Sequence, residues 1–300
     1  MEKGENHHGS FLDKKSEYSV IDCIDCGFKH IIPIPNNKKM DDYYQNHFSE
    51  ERIIEDRFIE DIDWWNLVHD EKFELLEKYM NKSDKIIYDI GCGFGYFMLR
   101  GKQRGWKTYG IDPSKKAVLS TRQKNLDTSI GTILKNNLPD HNADAIHMQD
   151  VIEHLPDPIS SLNSLQKKLK PGGLLCILSP NDYNPLQKMI QKNLNIEPWW
   201  VNPPIHINYF DYAGIKTVLE KSGFELLEYT SSFPLEFFLL MGENYIGNDV
   251  IGRKIHSKRK SFDLFFHEEQ SDDLRKNIYK SLSSLGLGRE FLLIAKSKLT

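Results

Sequence analysis

The sequence predicts an α/β fold built on a doubly wound, mostly parallel sheet, and three observations carry that expectation. Between residues 85 and 180, short apolar runs alternate with helical patterns at intervals of about 20–30 residues. A cluster of three alternating glycines follows the first of those runs directly. Proline and glycine punctuate the starts and stops of the helical segments.

Taken in order, Lys85–Ile90 is a strand that closes on the glycines, and a helix follows over 96–104. Residues 107–112 make a second strand. Pro113 and Ser114 then open a helix, since proline is tolerated in a first turn. Asp127–Ile130 and Ala143–Gln149 are the third and fourth strands. Pro156-Asp157-Pro158 opens a helix running to Lys170, Pro171-Gly172-Gly173 stops it, and 174–179 is the fifth strand. After Pro180 the rhythm changes to a connection rich in Pro, Trp and Asn over 180–210. A helix over 211–222 stops at Gly223, a sixth strand covers 224–229, and a seventh covers 290–296. Before the sheet, residues 1–20 read as a loosely ordered polar lead-in. Residues 40–80 read as aromatic helices, with Trp65, Val68, Phe73, Leu76 and Tyr79 on one face. The domain layout is an N-terminal extension and helical cap over 1–80, a core over 81–230, a lid insertion over 231–289 and a final strand over 290–300.

Composition removes several classes. Lys and Arg number 39 against 43 Asp and Glu, a net charge of −4, and a general nucleic-acid binder usually carries a basic excess. No apolar run approaches the roughly 20 residues of a membrane span. The N-terminus is charged and lacks the apolar segment of a secretory signal. Four cysteines do not make a disulfide framework, so the cytoplasm is the expected compartment.

The strongest motif is Asp89-Ile90-Gly91-Cys92-Gly93-Phe94-Gly95, between a strand and a helix, with Asp112 at the end of the next strand. Glycines let a backbone approach a ligand closely, and a strand-end acid in this position holds a ribose diol in doubly wound sheets. Asp112 also has a plainer reading, as the N-cap of the following helix. A dinucleotide loop wants a small residue where this one has Tyr96. Asp89 would repel a pyrophosphate and welcome an α-amino group and a sulfonium. The residues therefore favour S-adenosylmethionine over NAD. Cys92 is small filler, since nothing around it would stabilise a thiolate.

Asp89–Gly95, Gly110-Ile111-Asp112-Pro113-Ser114, the run from Gln149 to Leu155, the run from Leu169 to Leu174, and Ser179-Pro180-Asn181 occur in order. Together they resemble the class I SAM-dependent methyltransferases, in the branch with the ubiquinone-biosynthesis O-methyltransferases and many sugar methyltransferases. The resemblance covers about residues 85–230 and implies a Rossmann-like seven-stranded sheet with an antiparallel seventh strand. It places Gly91, Cys92, Gly93 and Gly95 along the methionine part of the cofactor, with Asp89 near its amino group. Asp112 falls at the ribose, Pro113 and Ser114 beside the adenine, and Thr132 and Ile133 across the adenine's other face. There the sequence departs from the family, which often has an acid. Gln149 and Asp150 fall near the transferred methyl, and S-adenosylhomocysteine is the implied product.

Ligands of doubly wound sheets sit outside the carboxyl ends of the strands, so the long links after strands five and six should roof the site. Trp199, Trp200, Asn208 and Tyr209 are the candidates for acceptor binding from that roof, with Tyr43 and Tyr44 from the N-terminal helices. A rigid hydrophobic lid is the competing reading. Removal of a hydroxyl proton needs a base near neutrality, and His154 and His206 are the candidates beside Asp150. The basic run over 253–260 reads as a solvated loop or as a cradle for an anionic acceptor. Cys23-x-x-Cys26 resembles half of the zinc module of some sugar C-methyltransferases. With His30 it supplies three ligands and no evident fourth, so no metal site is expected. The expected partner is a small polar acceptor, best a hydroxyl of a sugar, nucleotide-sugar or glycan precursor, and neither nucleic acid nor a membrane. Phenol O-methylation, keto-sugar C-methylation and a binding protein without chemistry are the alternatives.

Overall fold

The computed structural model describes residues 7–36, 40, 51–80 and 85–299. Three strands come first: β1 (Gly9–Lys15), β2 (Tyr18–Cys23) and β3 (Phe28–Ile32). Helices α1 (Glu51–Glu60) and α2 (Ile62–Lys78) follow. Next come β4 (Lys85–Ile90), α3 (Tyr96–Gln103), β5 (Trp106–Asp112), α4 (Lys115–Gln123) and β6 (Asp127–Ile130). They lead to β7 (Ala143–Gln149), α5 (Pro158–Gln166) and β8 (Leu169–Pro180). Beyond these lie α6 (Pro185–Leu194), the two-residue β9 (Asn208–Tyr209), α7 (Tyr212–Lys221) and β10 (Phe224–Ser231). The chain finishes with α8 (Glu236–Leu240), α9 (Asp249–Glu268), α10 (Asp272–Ser284) and β11 (Glu290–Ser297).

The chain divides into two compact units. One takes the described residues of 1–34 with 179–217 and 229–292, the other those of 35–178 with 218–228 and 293–300. The second unit is built on a seven-stranded sheet in the order β10-β11-β8-β7-β4-β5-β6. The pairs β4–β5, β4–β7, β5–β6 and β7–β8 are parallel. β11 runs antiparallel, with Gly172 N–H on Leu299 O at 3.1 Å and Lys298 N–H on Gly223 O at 3.0 Å. This is the Rossmann-like architecture that the sequence predicts. β7 and most of β8 are buried along their length, as strands covered on both faces must be. Local chemistry sets the helix starts. Asp157 accepts from Ser160 N–H at 3.0 Å with Pro158 at the first position of α5, and Ser114 accepts from Ala117 N–H at 3.2 Å to cap α4.

Three expectations need correction. Within the segment 1–20, expected as a loose lead-in, residues 9–15 and 18–20 lie in β1 and β2; β1 is mostly exposed and polar, so its sequence carries no alternation to read. Helix α5 stops at Gln166 and β8 begins at Leu169, so Pro171-Gly172-Gly173 lies within a strand and is not a helix stop. The N–H groups of His141, Asn142 and Ala143 bond Lys167 and Lys168 carbonyls and draw the chain into the sheet before the glycines. The buried face of α2 carries Trp64, Leu67, His69, Lys72, Phe73 and Leu76. Trp65 and Val68 are only half-buried, and Tyr79 lies past the helix end.

The first unit has a four-stranded sheet, β1-β2-β3-β9, antiparallel throughout. Beside it, Lys29 Nζ meets Asp211 Oδ2 at 2.6 Å. The run at 253–260 lies on α9 and not in a solvated loop, and its Arg259 is buried against Glu290 at 2.8 Å. Burial would raise the Glu290 carboxyl, but Arg259 and a hydrogen bond from Ser232 overcome it and hold it at about 2. A depressed folded-state pKa stabilises above the unfolded value and loses that contribution as pH falls through the folded one. The melting temperature should therefore drop as pH falls from about 4.5 to 2. Glu290→Gln should flatten that drop and cost about 3–5 kcal/mol at pH 7, because buried Arg259 loses its ion pair with Glu290. Thermal melts across that pH range measure the drop, and urea titration at pH 7 measures the cost.

Candidate active site

The carboxyl ends of β4, β5 and β7 meet where the strand order turns back, the usual ligand position in such sheets. The glycine loop leaves β4 there. Gly91, Gly93 and Gly95 all have positive φ, 72°, 49° and 78°. Two of them show why glycine is needed. A Cβ on Gly95 would fall 2.4 Å from Leu126 Cδ1, so the helix start could not pack. A Cβ on Gly93 would meet nothing within 4 Å, so that backbone faces open space, as a cradle for a ligand does.

Asp112 holds this loop. Its Oδ2 accepts from Gly93 N–H at 2.9 Å and its Oδ1 from Ser114 N–H at 2.8 Å. Ser114, not Asp112, caps α4, which settles the plainer of the two readings of Asp112 against it. Gly131 N–H bonds Asp112 O at 3.1 Å, so Thr132 and Ile133, which follow β6, start beside the end of β5. Thr132 is half-buried and Ile133 buried. Cys92 is buried with Met98 and Leu126, and burial pushes its thiol far up, in keeping with filler.

Beneath the loop lies a polar chain that the sequence reading did not assemble. Asp89 Oδ1 is 2.7 Å from His147 Nδ1, and both side chains are buried. Lys72 Nζ, fully buried on α2, sits 3.3 Å from His147 Nε2 and 2.5 Å from Gln149 Oε1. An ammonium only donates, so Nε2 accepts and Nδ1 carries the proton given to Asp89. Burial, and then Lys72, lower the His147 pKa well below its ordinary value, which agrees with a neutral ring. Burial lifts the Asp89 carboxyl to about 7, with Lys72 acting against the lift. The Phe97 ring stacks on His147 with centroids 3.6 Å apart. One signal was legible: Lys72 sits in the apolar stripe of α2, where a lone cation must find partners.

Gln149 Nε2 reaches Asp150 Oδ2 at 3.3 Å, so the chain of contacts ends at the strand tip. Asp150 has φ 52°, a left-handed geometry that aspartate tolerates better than most residues and that clusters at functional sites. His154 closes a single 3-10 turn (Ile152–His154), half-exposed, with Nε2 3.7 Å from Glu153 Oε1. These residues all belong to the second unit. In the first unit, Trp200, Asn208 and Tyr209 are interior, and Tyr209 Oη donates to His206 O at 3.0 Å. Trp199 and His206 are half-buried. Tyr43 and Tyr44 lie outside the described residues.

A raised carboxyl pKa makes the folded state hold a proton that the unfolded chain has released. Asp89 should thus cost stability as pH rises from about 4 to 7. The lowered His147 acts with the opposite sign, costing stability as pH falls below about 6.5. In Asp89→Asn the first slope disappears and the second remains, so variant and wild type diverge progressively above about pH 4 in chemical denaturation. Lys72→Met should remove the hydrogen bond that Gln149 Oε1 accepts and weaken binding of S-adenosylhomocysteine about tenfold, read by calorimetry.

Comparison with known proteins agrees with this geometry. Residues 64–229 match a family model described as a methyltransferase domain. A tRNA U34 carboxymethyltransferase of Campylobacter hominis is 32% identical over 120 residues, covering 38% of this chain and 41% of that protein. A ubiquinone biosynthesis O-methyltransferase of Vibrio vulnificus is 30% identical over 127 residues, covering 37% of this chain and 54% of that one. The chain thus spans about half the length, or less, of these curated relatives. Among solved structures, a Haloferax volcanii complex of the Trm112 methyltransferase activator with a putative methyltransferase shares the fold. Its TM-score is 0.51 at 16% identity, over 87% of this chain and 97% of that one. With the family match spanning more than half of its residues, the chain belongs to the SAM-dependent methyltransferase domain family.

Proposed function

We propose that this chain transfers a methyl group from S-adenosylmethionine to a hydroxyl of a small polar acceptor, with sugars, nucleotide-sugars and glycan precursors as the class to screen first. The observation that carries methyl transfer is the open glycine loop clamped by Asp112. The residues present fit the cofactor. Gly91, Gly93 and Gly95 would line its methionine part, Asp112 the ribose, Ser114, Thr132 and Ile133 the adenine, and Gln149 the sulfonium end. When bound, the cofactor supplies an electrophilic methyl on a positively charged sulfur. The protein's part is to align the acceptor in line with that methyl and to exclude water. His154 Nε2, with Glu153 beside it, is the group proposed to take the hydroxyl proton.

A small acceptor is supported by charge, since a net −4 suits neither nucleic acid nor an anionic surface.

Calorimetric titration with S-adenosylhomocysteine, and with NAD as control, is the test. Micromolar binding, about −8 kcal/mol, is expected for the first alone. Asp112→Ala should weaken it at least tenfold, by about 1.4 kcal/mol or more. His154→Ala should leave the affinity intact and lower turnover about 100-fold with the acceptor that a screen identifies. Cofactor binding with no turnover of any hydroxyl, phenol or keto-sugar acceptor would overturn the proposal in favour of a binding protein.

A further inference from the structure

We propose that His7, Cys23, Cys26 and His30 hold a structural zinc ion in the first unit. The four ligand atoms lie within 4.8 Å of one another. His7 Nδ1 is 3.6 Å from Cys23 Sγ and 3.3 Å from Cys26 Sγ. Zinc bonds of about 2.3 Å to sulfur and 2.0–2.1 Å to nitrogen put S···N edges of a tetrahedron at about 3.6 Å. Two sulfurs converge on one imidazole nitrogen, which has a single lone pair and can accept one S–H well. A shared cation explains both approaches.

His30 supplies an independent observation. Its Nδ1 lies 3.0 Å from Ile31 O, a carbonyl that only accepts, so Nδ1 carries the proton. Nε2 is then a bare lone pair, and it is buried with no hydrogen-bond partner. A ligating histidine shows this arrangement, one nitrogen fixed by a carbonyl and the other given to the metal. The cysteines form a tight knuckle. Cys26 N–H approaches Cys23 Sγ at 3.4 Å, Gly27 N–H donates to Cys23 O at 2.8 Å, and Gly27 takes φ 81°. No disulfide joins the pair. Two thiolates and two imidazoles in a compact set select zinc over magnesium or calcium. Four protein ligands leave no open position, so the ion would brace β2 and β3 and not take part in the reaction. On binding, two Zn–S and two Zn–N bonds form and both thiol protons pass to solvent.

Metal analysis of the full-length protein should find about one zinc per chain. Cys23→Ser and Cys26→Ser should lose it, while Cys176→Ala, on β8, retains it. Because these variants can fail to fold, the decisive measurement uses the wild type stripped with a chelator and titrated with Co²⁺. Saturation at one equivalent, with thiolate-to-cobalt charge transfer in the near ultraviolet and tetrahedral bands in the visible, is expected. Zinc should displace the cobalt and raise the melting temperature of the stripped protein by about 5–10 °C. No thiolate band, or zinc uptake unchanged in both Cys23→Ser and Cys26→Ser, would overturn the site.

Discussion

A single carboxylate organises the cofactor face. Asp112 accepts a hydrogen bond from the glycine loop that follows one strand and another from the helix start that follows the next. Hydrogen bonds to an ionised acceptor are worth more than neutral ones, about 1.5–3 kcal/mol each. The two bonds tie the glycine loop to the segment that starts α4.

Lys72 sets the second constraint. A buried cation is costly unless hydrogen bonds and opposite charge surround it. Here Gln149 and His147 receive its protons, and Asp89 lies on the far side of the imidazole. The result links the root of the glycine loop to the tip of β7. Asp89, His147, Lys72 and Gln149 thus form one continuous run of contacts.

The sheet was legible because its signals are local and redundant. β4 and β7 are largely apolar runs, helices with capping or proline starts follow the strands, and the motif order matches a known family. The Asp89–His147–Lys72 chain was not legible, because it joins a helix to two strands far away in sequence. The N-terminal strands were missed because β1 is exposed and polar, so no hydrophobic period marks it. His7 was passed over for a related reason. Ligand spacing reveals Cys23 and Cys26, but only the pairing of β1 with β2, Gly9 opposite Cys23, returns the chain to bring His7 beside them. Tryptophans and tyrosines after β8 looked like a binding surface by type, yet Trp200 and Tyr209 are consumed by packing.

The order in which strands join has a bearing on how the chain is made. β11 inserts between β8 and β10, and β3 (Phe28–Ile32) pairs with the distant β9 (Asn208–Tyr209). Neither sheet can close while the ribosome holds the later segments. The first strands leave the exit tunnel with unpaired edges and keep them until most of the chain has been synthesised. Long-range closure of this kind is slow and exposes aggregation-prone surface.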